Sequence, residues 1–232
     1  GWIAGREHEL LSDLEYQVFL HLEWSALIVD IREQYPLPLQ ATRAIAEECG
    51  FAHPKGWGKD EIAVVTTDFV ITLSTEQGLE EQALAVKYAK DLDDDRVVQK
   101  LEIERRYWES KDIHWEFWTE HDISETVWRN VEYLHSYRDR RFLYPLSDRE
   151  VRDISIALTQ RIVQPHALLA EVAQICDDLF QVPPSTSAKV ARHLMANRIW
   201  KVDIEHPINP RQRLVFLTSP QVAALTGSEV AG

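Results

Sequence analysis

The sequence is poor in cysteine and glycine and has no long apolar run. Its two cysteines, Cys49 and Cys176, are far apart and lack CxxC spacing, so cysteine alone predicts neither a zinc site nor a disulfide framework. We therefore expect a reducing, cytoplasmic compartment. The 8 glycines among 232 residues exclude a collagen or a glycine-rich linker protein. Apolar runs such as residues 26–29 are far shorter than the ~18 residues that cross a bilayer, so no membrane partner is expected.

Charge is distributed unevenly along the chain. The formal net charge is −13, and all of it comes from residues 1–147, because residues 148–232 contain equal numbers of acidic and basic side chains. This acidity argues against tight, sequence-independent DNA binding by the chain alone, but it is compatible with a local site for a divalent metal. Hydrophobic residues make up 45% of the chain, which indicates folded domains rather than disorder.

Residue periodicity predicts an α/β domain over residues 1–137, followed by a mostly helical domain. A helix is expected to begin at Ser12, residues 53–60 should form a loop, and residues 138–147 resemble a linker. Three helices and a β-hairpin then predict a winged-helix-like domain over residues 148–232. The predicted strands of the first domain are 26–32, 62–73, 79–88 and 114–119; the later helices are 148–160, 165–180 and 187–197, and the hairpin strands are 199–205 and 213–217.

Glu15 is a candidate for chemistry because of its place on the first predicted helix. Its neighbours at helical spacing, Leu11 and Phe19, are apolar, so the carboxylate should lie on or beside the buried face. A carboxylate in that place needs compensation from a metal or a cation. A structural interpretation is also open, since Ser12 and Glu15 fit a capping box in which Glu15 reaches back to the Ser12 amide.

Asp68 and Lys87 form a second candidate group, on two successive predicted strands. Asp68 interrupts an apolar strand pattern, which suggests that it pairs with or binds something. A hairpin between the strands would bring Lys87 to the same face of the sheet. With Glu15 as a second acid, two carboxylates could hold Mg²⁺ while the lysine orients the attacking water. The alternative is a purely structural Asp–Lys ion pair.

Two further sets of charged side chains carry weaker signals. Glu102 and Glu104 lie close to Arg105 and Arg106 on a predicted helix, where a solvated face with ion pairs is the first expectation. In the second domain, basic residues around the last helix are expected to contact DNA phosphates or an acidic protein partner. These residues are Lys189, Arg192, Arg198 and Lys201.

The candidate residues lie in segments that resemble the TnsA family, the endonuclease subunits of heteromeric bacterial transposases. The segments are HELLSDLEYQVFLHLEW (8–24), VDIREQYPL (29–37), TTDFVI (66–71), AVKYAKDL (85–92) and KLEIERRYW (100–108). The resemblance implies a restriction-endonuclease-like fold of the PD-(D/E)xK type, with a mixed sheet flanked by helices. It also implies that Glu15, Asp68 and Lys87 are the catalytic residues, and that the second domain works with DNA and a regulator subunit.

The sequence departs from the family pattern at one position. The family has a glutamine two residues before the lysine, and that position is Ala85 here. A methyl group cannot bind a metal. Glu15, Asp68, the backbone carbonyl of Val86 and several waters could still complete a Mg²⁺ site, with Mn²⁺ as a possible substitute, because Mg²⁺ keeps several waters readily.

The implied function is a Mg²⁺-dependent DNA endonuclease that cuts the 5′ ends of transposon strands during cut-and-paste transposition. The expected partners are transposon-end DNA, a TnsB-like DDE transposase that processes the 3′ ends, and a TnsC-like ATP-dependent regulator. We expect low activity from the chain alone, because a nuclease that cut without its partners would damage the host. The alternatives are an assembly adaptor that has lost catalysis through Ala85, and an autonomous repair or restriction nuclease.

Overall fold

A computed structural model describes residues 1–56 and 62–218. Part of the loop predicted at residues 53–60, and the predicted second domain beyond residue 218, lie outside the described residues. The chain divides into two compact units between Ile123 and Ser124. The division therefore precedes the predicted boundary at residue 137.

The first unit contains one four-stranded mixed sheet with the strand order β1-β2-β3-β4. The pairs β1–β2 and β2–β3 are antiparallel, whereas β3 and β4 are parallel and are connected through α3. The predicted class, a mixed sheet flanked by helices, is confirmed. The elements are α1 (Asp13–Glu23), β1 (Ile28–Pro36), α2 (Leu39–Glu48), β2 (Thr66–Thr75), β3 (Gly78–Val86), α3 (Asp95–Glu109) and β4 (His114–Trp118).

Two apolar clusters cover the two faces of this sheet. In β2, Phe69 and Ile71 pack in one cluster and Val70 packs in the other, as the alternation of side chains along a strand requires. The first cluster contains the apolar face of α1, and the second contains Tyr107 and Trp108 of α3. We call them the α1 layer and the α3 layer.

Local sequence signals place the helices that flank the sheet. The hydroxyl of Ser12 accepts a hydrogen bond from the Glu15 amide, which begins α1 where the sequence predicts it. The Asp94 carboxylate accepts from the Arg96 amide at the start of α3, so part of the acidic run at residues 91–95 serves as a cap. The apolar face of α1 then fixes its packing against the sheet.

The second unit is helical, as predicted, and its described part contains α4 (Glu125–His135), α5 (Asp148–Ile162), α6 (Leu169–Phe180) and α7 (Thr186–Ala196). Helix α6 begins at Leu169, four residues after the predicted start. The predicted linker contains a short 3-10 helix, Arg140–Leu143. The predicted hairpin is reduced, within the part of the chain that is described, to one isolated bridge between Val202 and Phe216.

Helix α4 belongs to the second unit because its buried side chains pack there. The Asn130 amide donates to the carbonyl oxygens of Ile204 and His206, both at 2.9 Å, and its oxygen accepts from the Ile208 amide. These three bonds connect α4 to a segment more than 70 residues away in sequence. Among the described residues, no helix is long and apolar enough to cross a membrane.

Candidate active site

Asp68 and Lys87 form a nearly buried ion pair. Oδ2 of Asp68 accepts from the Lys87 Nζ at 2.8 Å and from the Val86 amide at 2.7 Å. The Nζ also donates to the Val86 carbonyl oxygen at 2.7 Å. The side chains of Asp68 and Lys87 are only 7% and 21% exposed. The structure thus brings together three of the predicted site residues, and it leaves Oδ1 of Asp68 without a hydrogen bond from any described residue.

Asp68 lies where the side-chain alternation of β2 is interrupted. Phe69 packs in the α1 layer, so an uninterrupted strand would place Thr67 in the same layer. Instead, the Thr67 hydroxyl accepts a hydrogen bond from the Trp108 indole of the α3 layer at 2.8 Å. The strand changes face at Asp68, between these two anchors.

The neighbouring strand β1 is irregular at the same level of the sheet. The register pairs Glu33 with Phe69 and Tyr35 with Thr67, so Gln34 lies opposite Asp68. Gln34 has a φ of +47°, in the left-handed region that side chains other than glycine rarely occupy. Such backbone strain persists only where the surrounding structure enforces it, and it is concentrated at functional sites.

Glu15 is buried in the first turn of α1, with 6% of its surface exposed. Its Oε2 accepts from the Leu11 amide at 2.9 Å and from the Gln34 side-chain amide at 3.0 Å, and its Oε1 lies 3.2 Å from the Ser12 hydroxyl. One half of the alternative capping box is present, because Ser12 caps the Glu15 amide. The other half differs, since the carboxylate binds the amide of Leu11 rather than that of Ser12.

Hydrogen bonds connect Glu15 to β2, the strand that carries Asp68. Gln34 donates to Glu15 through its amide nitrogen and accepts through its amide oxygen from the Thr66 hydroxyl, at 3.2 Å. Thr66 precedes Asp68 by two residues on β2. Glu15 therefore stands at one end of a hydrogen-bonded chain that reaches the strand of Asp68.

Glu104 is a buried acidic residue that the sequence analysis placed on a solvated surface. The structure contradicts that expectation, because Glu104 is only 1% exposed. Burial raises the pKa of Glu104 to about 8, Lys100 at 3.9 Å opposes this rise, and the nearby charge of Asp68 adds to it. With that pKa, the protonated form of the carboxyl predominates at pH 7. A sequence signal existed, since Leu101, Glu104 and Trp108 share one helical face with the spacing of an apolar stripe.

Glu102 differs from Glu104 and matches the expectation of a solvated ion-pair face. It lies 2.8 Å from Arg105 and 2.6 Å from Arg106. Hydrogen bonds from these guanidinium groups lower the pKa of Glu102 to about 2. The two glutamates of one helix thus have opposite environments, and only Glu104 faces the site.

The oxygen atoms around Asp68 fit a hard divalent cation in kind. Carboxylate and carbonyl oxygens are the ligands that Mg²⁺ prefers, and Glu15, Asp68 and Val86 supply them. Among the described residues there is no group of three His, Cys, Asp or Glu side chains arranged around one metal position. Ala85 is fully buried and adds no ligand. An ion held here would therefore keep several waters, as Mg²⁺ commonly does.

The basic residues predicted to bind DNA or a partner have different environments. Lys189 and Lys201 are exposed, whereas Arg192 and Arg198 are partly buried. The Arg192 guanidinium lies 4.0 Å from the ring centre of Tyr133 and 5.0 Å from that of Tyr137, and it donates to the Tyr137 hydroxyl. Burial lowers the pKa of Arg198. The two lysines remain candidates for contact, and Arg192 has a packing role in the second unit.

A mixed sheet flanked by helices, with a buried acid–lysine pair and a helical unit after it, defines the class of an α/β nuclease domain followed by a helical domain. Two family models match the chain: TnsA-like endonuclease N terminal at residues 25–120, and TnsA endonuclease C terminal at residues 122–204. The chain belongs to the TnsA-like endonuclease family. The two models meet near residue 121, close to the division between the two units.

A characterised relative supports this assignment. The transposon Tn7 transposition protein TnsA of Escherichia coli is 46% identical over 135 residues, which are 58% of this chain. The match covers 48% of the relative, so it spans about half the length of that protein. The recognition made from the sequence segments is confirmed at the level of the family.

Proposed function

We propose that the chain is a Mg²⁺-dependent DNA endonuclease and a subunit of a transposase. The observation that carries this proposal is a cluster around Lys87. Its Nζ donates a hydrogen bond of 2.8 Å to Oδ2 of Asp68 and one of 2.7 Å to the Val86 carbonyl oxygen. A purely structural ion pair does not require the interrupted strand at Asp68 or the strained backbone opposite it at Gln34. Family membership adds independent support.

Glu15, Asp68 and the Val86 carbonyl would hold the Mg²⁺, and Mn²⁺ could replace it. When bound, the ion polarises the scissile phosphate and lowers the pKa of a coordinated water. Oδ1 of Asp68 is free of hydrogen bonds from the described residues, while Oδ2 is fixed by the Val86 amide and Lys87. One oxygen is thus oriented by the protein and the other is left available.

The Lys87 ammonium group places a positive charge and hydrogen-bond donors beside Asp68. Its Nζ has three N–H bonds, and two of them point to Oδ2 of Asp68 and the carbonyl of Val86. The third can donate to a water or to a phosphate oxygen. Lys87 would orient the attacking water and stabilise the negative charge that develops on the phosphate.

Glu104 would affect the charge of the site without binding the metal while it is protonated. A neutral carboxyl does not repel DNA phosphates, and it does not compete with Asp68 for the Lys87 ammonium. Because its pKa is about 8, a modest rise in pH or a nearby cation can ionise it. Glu104 is therefore a candidate for tuning the site rather than for the first contact with metal.

The proposed reaction is cleavage of the 5′ ends of transposon strands, with transposon-end DNA, a TnsB-like DDE transposase and a TnsC-like ATP-dependent regulator as partners. We infer these partners from family membership and from the relative's description as a transposition protein. The net charge of −13 favours a subunit that reaches DNA through other proteins. A cytoplasmic location follows from the same proposal.

A catalytically impaired assembly adaptor is the second candidate, and Ala85 is the observation that favours it. Ala85 is completely buried, and its methyl group cannot bind a metal. In this alternative, the fold of the first unit is retained as a scaffold for the transposase and its regulator. The two candidates differ in whether Asp68 and Lys87 are required for strand cleavage.

The deciding experiment is cleavage of end-labelled transposon-end DNA with the partner transposase and regulator, ATP and Mg²⁺. The chain is compared with Asp68→Asn, Lys87→Met and, as a matched control on an exposed lysine with no predicted role in the site or in contact with DNA or partners, Lys111→Met. The nuclease proposal predicts 5′ cuts that both site variants abolish and the control retains. Cuts that survive both site variants would establish the adaptor, with another subunit cutting. Strong cutting of plain DNA by the chain alone would instead favour an autonomous nuclease.

A further inference from the structure

We propose that Gln34 is the positioning residue for Glu15, and that it sets the affinity of the site for a divalent cation. This inference rests on the proposed function. The relationship on which it depends is the hydrogen-bonded chain from Glu15 on α1, through Gln34 on β1, to Thr66 on β2. Gln34 is thus the side chain that connects the helix of the first acid to the strand of the second.

The orientation of the Gln34 amide follows from its two neighbours. An ionised carboxylate can only accept hydrogen bonds, so the amide nitrogen must face Glu15. The amide oxygen then faces Thr66, whose hydroxyl can donate. Rotating the amide by half a turn would lose the hydrogen bond to Glu15 and bring two oxygen atoms together, whereas the Thr66 hydroxyl could still accept from the amide nitrogen.

This contact constrains one oxygen of Glu15. Oε2 receives the Leu11 and Gln34 N–H groups, whereas the Ser12 hydroxyl, at 3.2 Å, is the single hydrogen-bond partner of Oε1 among the described residues. A hydroxyl can turn away and bind elsewhere, but a backbone amide and an anchored glutamine cannot. Gln34 therefore directs Oε1 as the oxygen that can bind a cation.

The backbone of Gln34 is in a conformation that costs conformational free energy, so the surrounding contacts must hold it there. Its φ of +47° is unfavourable for a residue with a Cβ, and glycine would relieve that strain. Glycine would also remove the whole amide. Gln34→Gly therefore separates the two effects, because the relief of strain offsets the loss of two side-chain hydrogen bonds and the fold should tolerate the change, while the positioning function is lost.

A matched control exists elsewhere in the chain. Gln181, at the end of α6 in the second unit, also has a left-handed backbone, with a φ of +53°. Gln181→Gly makes the same chemical change with the same relief of strain, away from Glu15. Any change in metal binding or stability that the two variants share is therefore caused by the glycine substitution itself and not by the loss of the Gln34 contacts.

The test measures Mn²⁺ binding to the full chain by isothermal titration calorimetry and by electron paramagnetic resonance, with thermal unfolding of each variant. Removing a residue that orients a metal ligand commonly weakens metal binding about 10- to 100-fold. We expect Gln34→Gly to weaken Mn²⁺ binding by that factor with an unchanged or higher unfolding temperature, and Gln181→Gly to leave binding unchanged. Thr66→Val, which removes the anchor of the Gln34 oxygen, should weaken binding by a smaller factor.

Each outcome decides between the inference and the function on which it rests. If the unchanged chain binds Mn²⁺ and Asp68→Asn does not, but Gln34→Gly binds as tightly as the unchanged chain, the role of Gln34 is overturned and the metal-dependent nuclease stands. If the unchanged chain binds no Mn²⁺, the proposed metal dependence and this inference both fail. Weakened binding by Gln34→Gly together with an unfolding temperature below that of the unchanged chain would assign Gln34 a merely structural role.

Discussion

The Nζ of Lys87 lies 2.8 Å from Oδ2 of Asp68, and both side chains of this ion pair are largely buried. Removing one member leaves the other charge buried with fewer partners, which is costly in a poorly solvated environment. We expect Lys87→Met to lower the free energy of unfolding by about 2 kcal/mol, since Lys87 is partly exposed. Urea denaturation at pH 7 measures this change.

The double variant Asp68→Asn with Lys87→Met provides the control for that prediction. It removes both charges at once, so its loss should be smaller than the sum of the two single losses. Strictly additive losses would mean that the two charges do not stabilise each other in the folded chain.

The raised pKa of Glu104 makes the folded chain less stable as the pH rises. Its pKa rises from an ordinary value of 4.5 to about 8, so the folded chain holds a proton that the unfolded chain releases. The corresponding stability is present below pH 4.5 and is lost as the pH rises to about 8. Glu104→Gln should therefore gain stability relative to the unchanged chain, on the order of 2–4 kcal/mol, between pH 5 and pH 8.

The measurement is chemical denaturation of both proteins at several pH values. Glu102→Gln is the matched control on the same helix, because the pKa of Glu102 is lowered to about 2 and cannot produce this trend. A stability difference for Glu104→Gln that is constant from pH 5 to pH 8 would contradict a buried, neutral carboxyl.

Restoring the family's glutamine at position 85 should have a structural cost. Ala85 is fully buried on β3, and glutamine adds four heavy atoms to its side chain. We expect Ala85→Gln to lower the free energy of unfolding by about 1–3 kcal/mol, as overpacking commonly does. Ala85→Ser, which adds a single atom, should lose less. Equal stability of Ala85→Gln and the unchanged chain would show that the longer side chain finds space, and would make its cleavage assay directly interpretable.

Arg192 should matter for the stability of the second unit more than for DNA contact. Its guanidinium packs on Tyr133 and Tyr137, and Arg192→Ala removes both contacts and the hydrogen bond to the Tyr137 hydroxyl. We expect a loss of about 1–2 kcal/mol in the free energy of unfolding. Arg192→Lys keeps the charge but not the planar stacking group, so it should recover only part of that loss. A fully stable Arg192→Ala with weakened DNA binding would restore the original prediction of a DNA contact.

The sequence predicted which helices and strands the first unit contains better than it predicted where they end or which distant residues they contact. Ser12, the apolar face of α1 and the β-branched strand of Asp68 are local signals, and the structure places the corresponding elements where they were expected. The unit boundary was missed, because the side chain of Asn130 binds backbone groups that are more than 70 residues away. No local pattern reports such a contact.

The candidate site was predicted only in part for the same reason. Asp68 and Lys87 are adjacent because β2 and β3 pair as a hairpin, which the sequence predicted, although alternation is interrupted at Asp68 and β3 ends at Val86, one residue before Lys87. Gln34 was part of a recognised segment but had no role, because a left-handed backbone in a strand leaves no trace in composition. Glu104 was assigned to the surface because its charged neighbours outweighed its place on the apolar stripe.

The change of face at Asp68 also fixes the register of β2, because residues on both faces of the sheet hold the strand in place. Phe69 is held in the α1 layer and Thr67 is bonded to Trp108 in the α3 layer. A shift of the strand by a single residue would move a phenylalanine and a threonine into the wrong layers at once. Inserting or deleting one residue between residues 66 and 71 should therefore disrupt the packing of both layers at once, so this strand tolerates substitution better than a change of length.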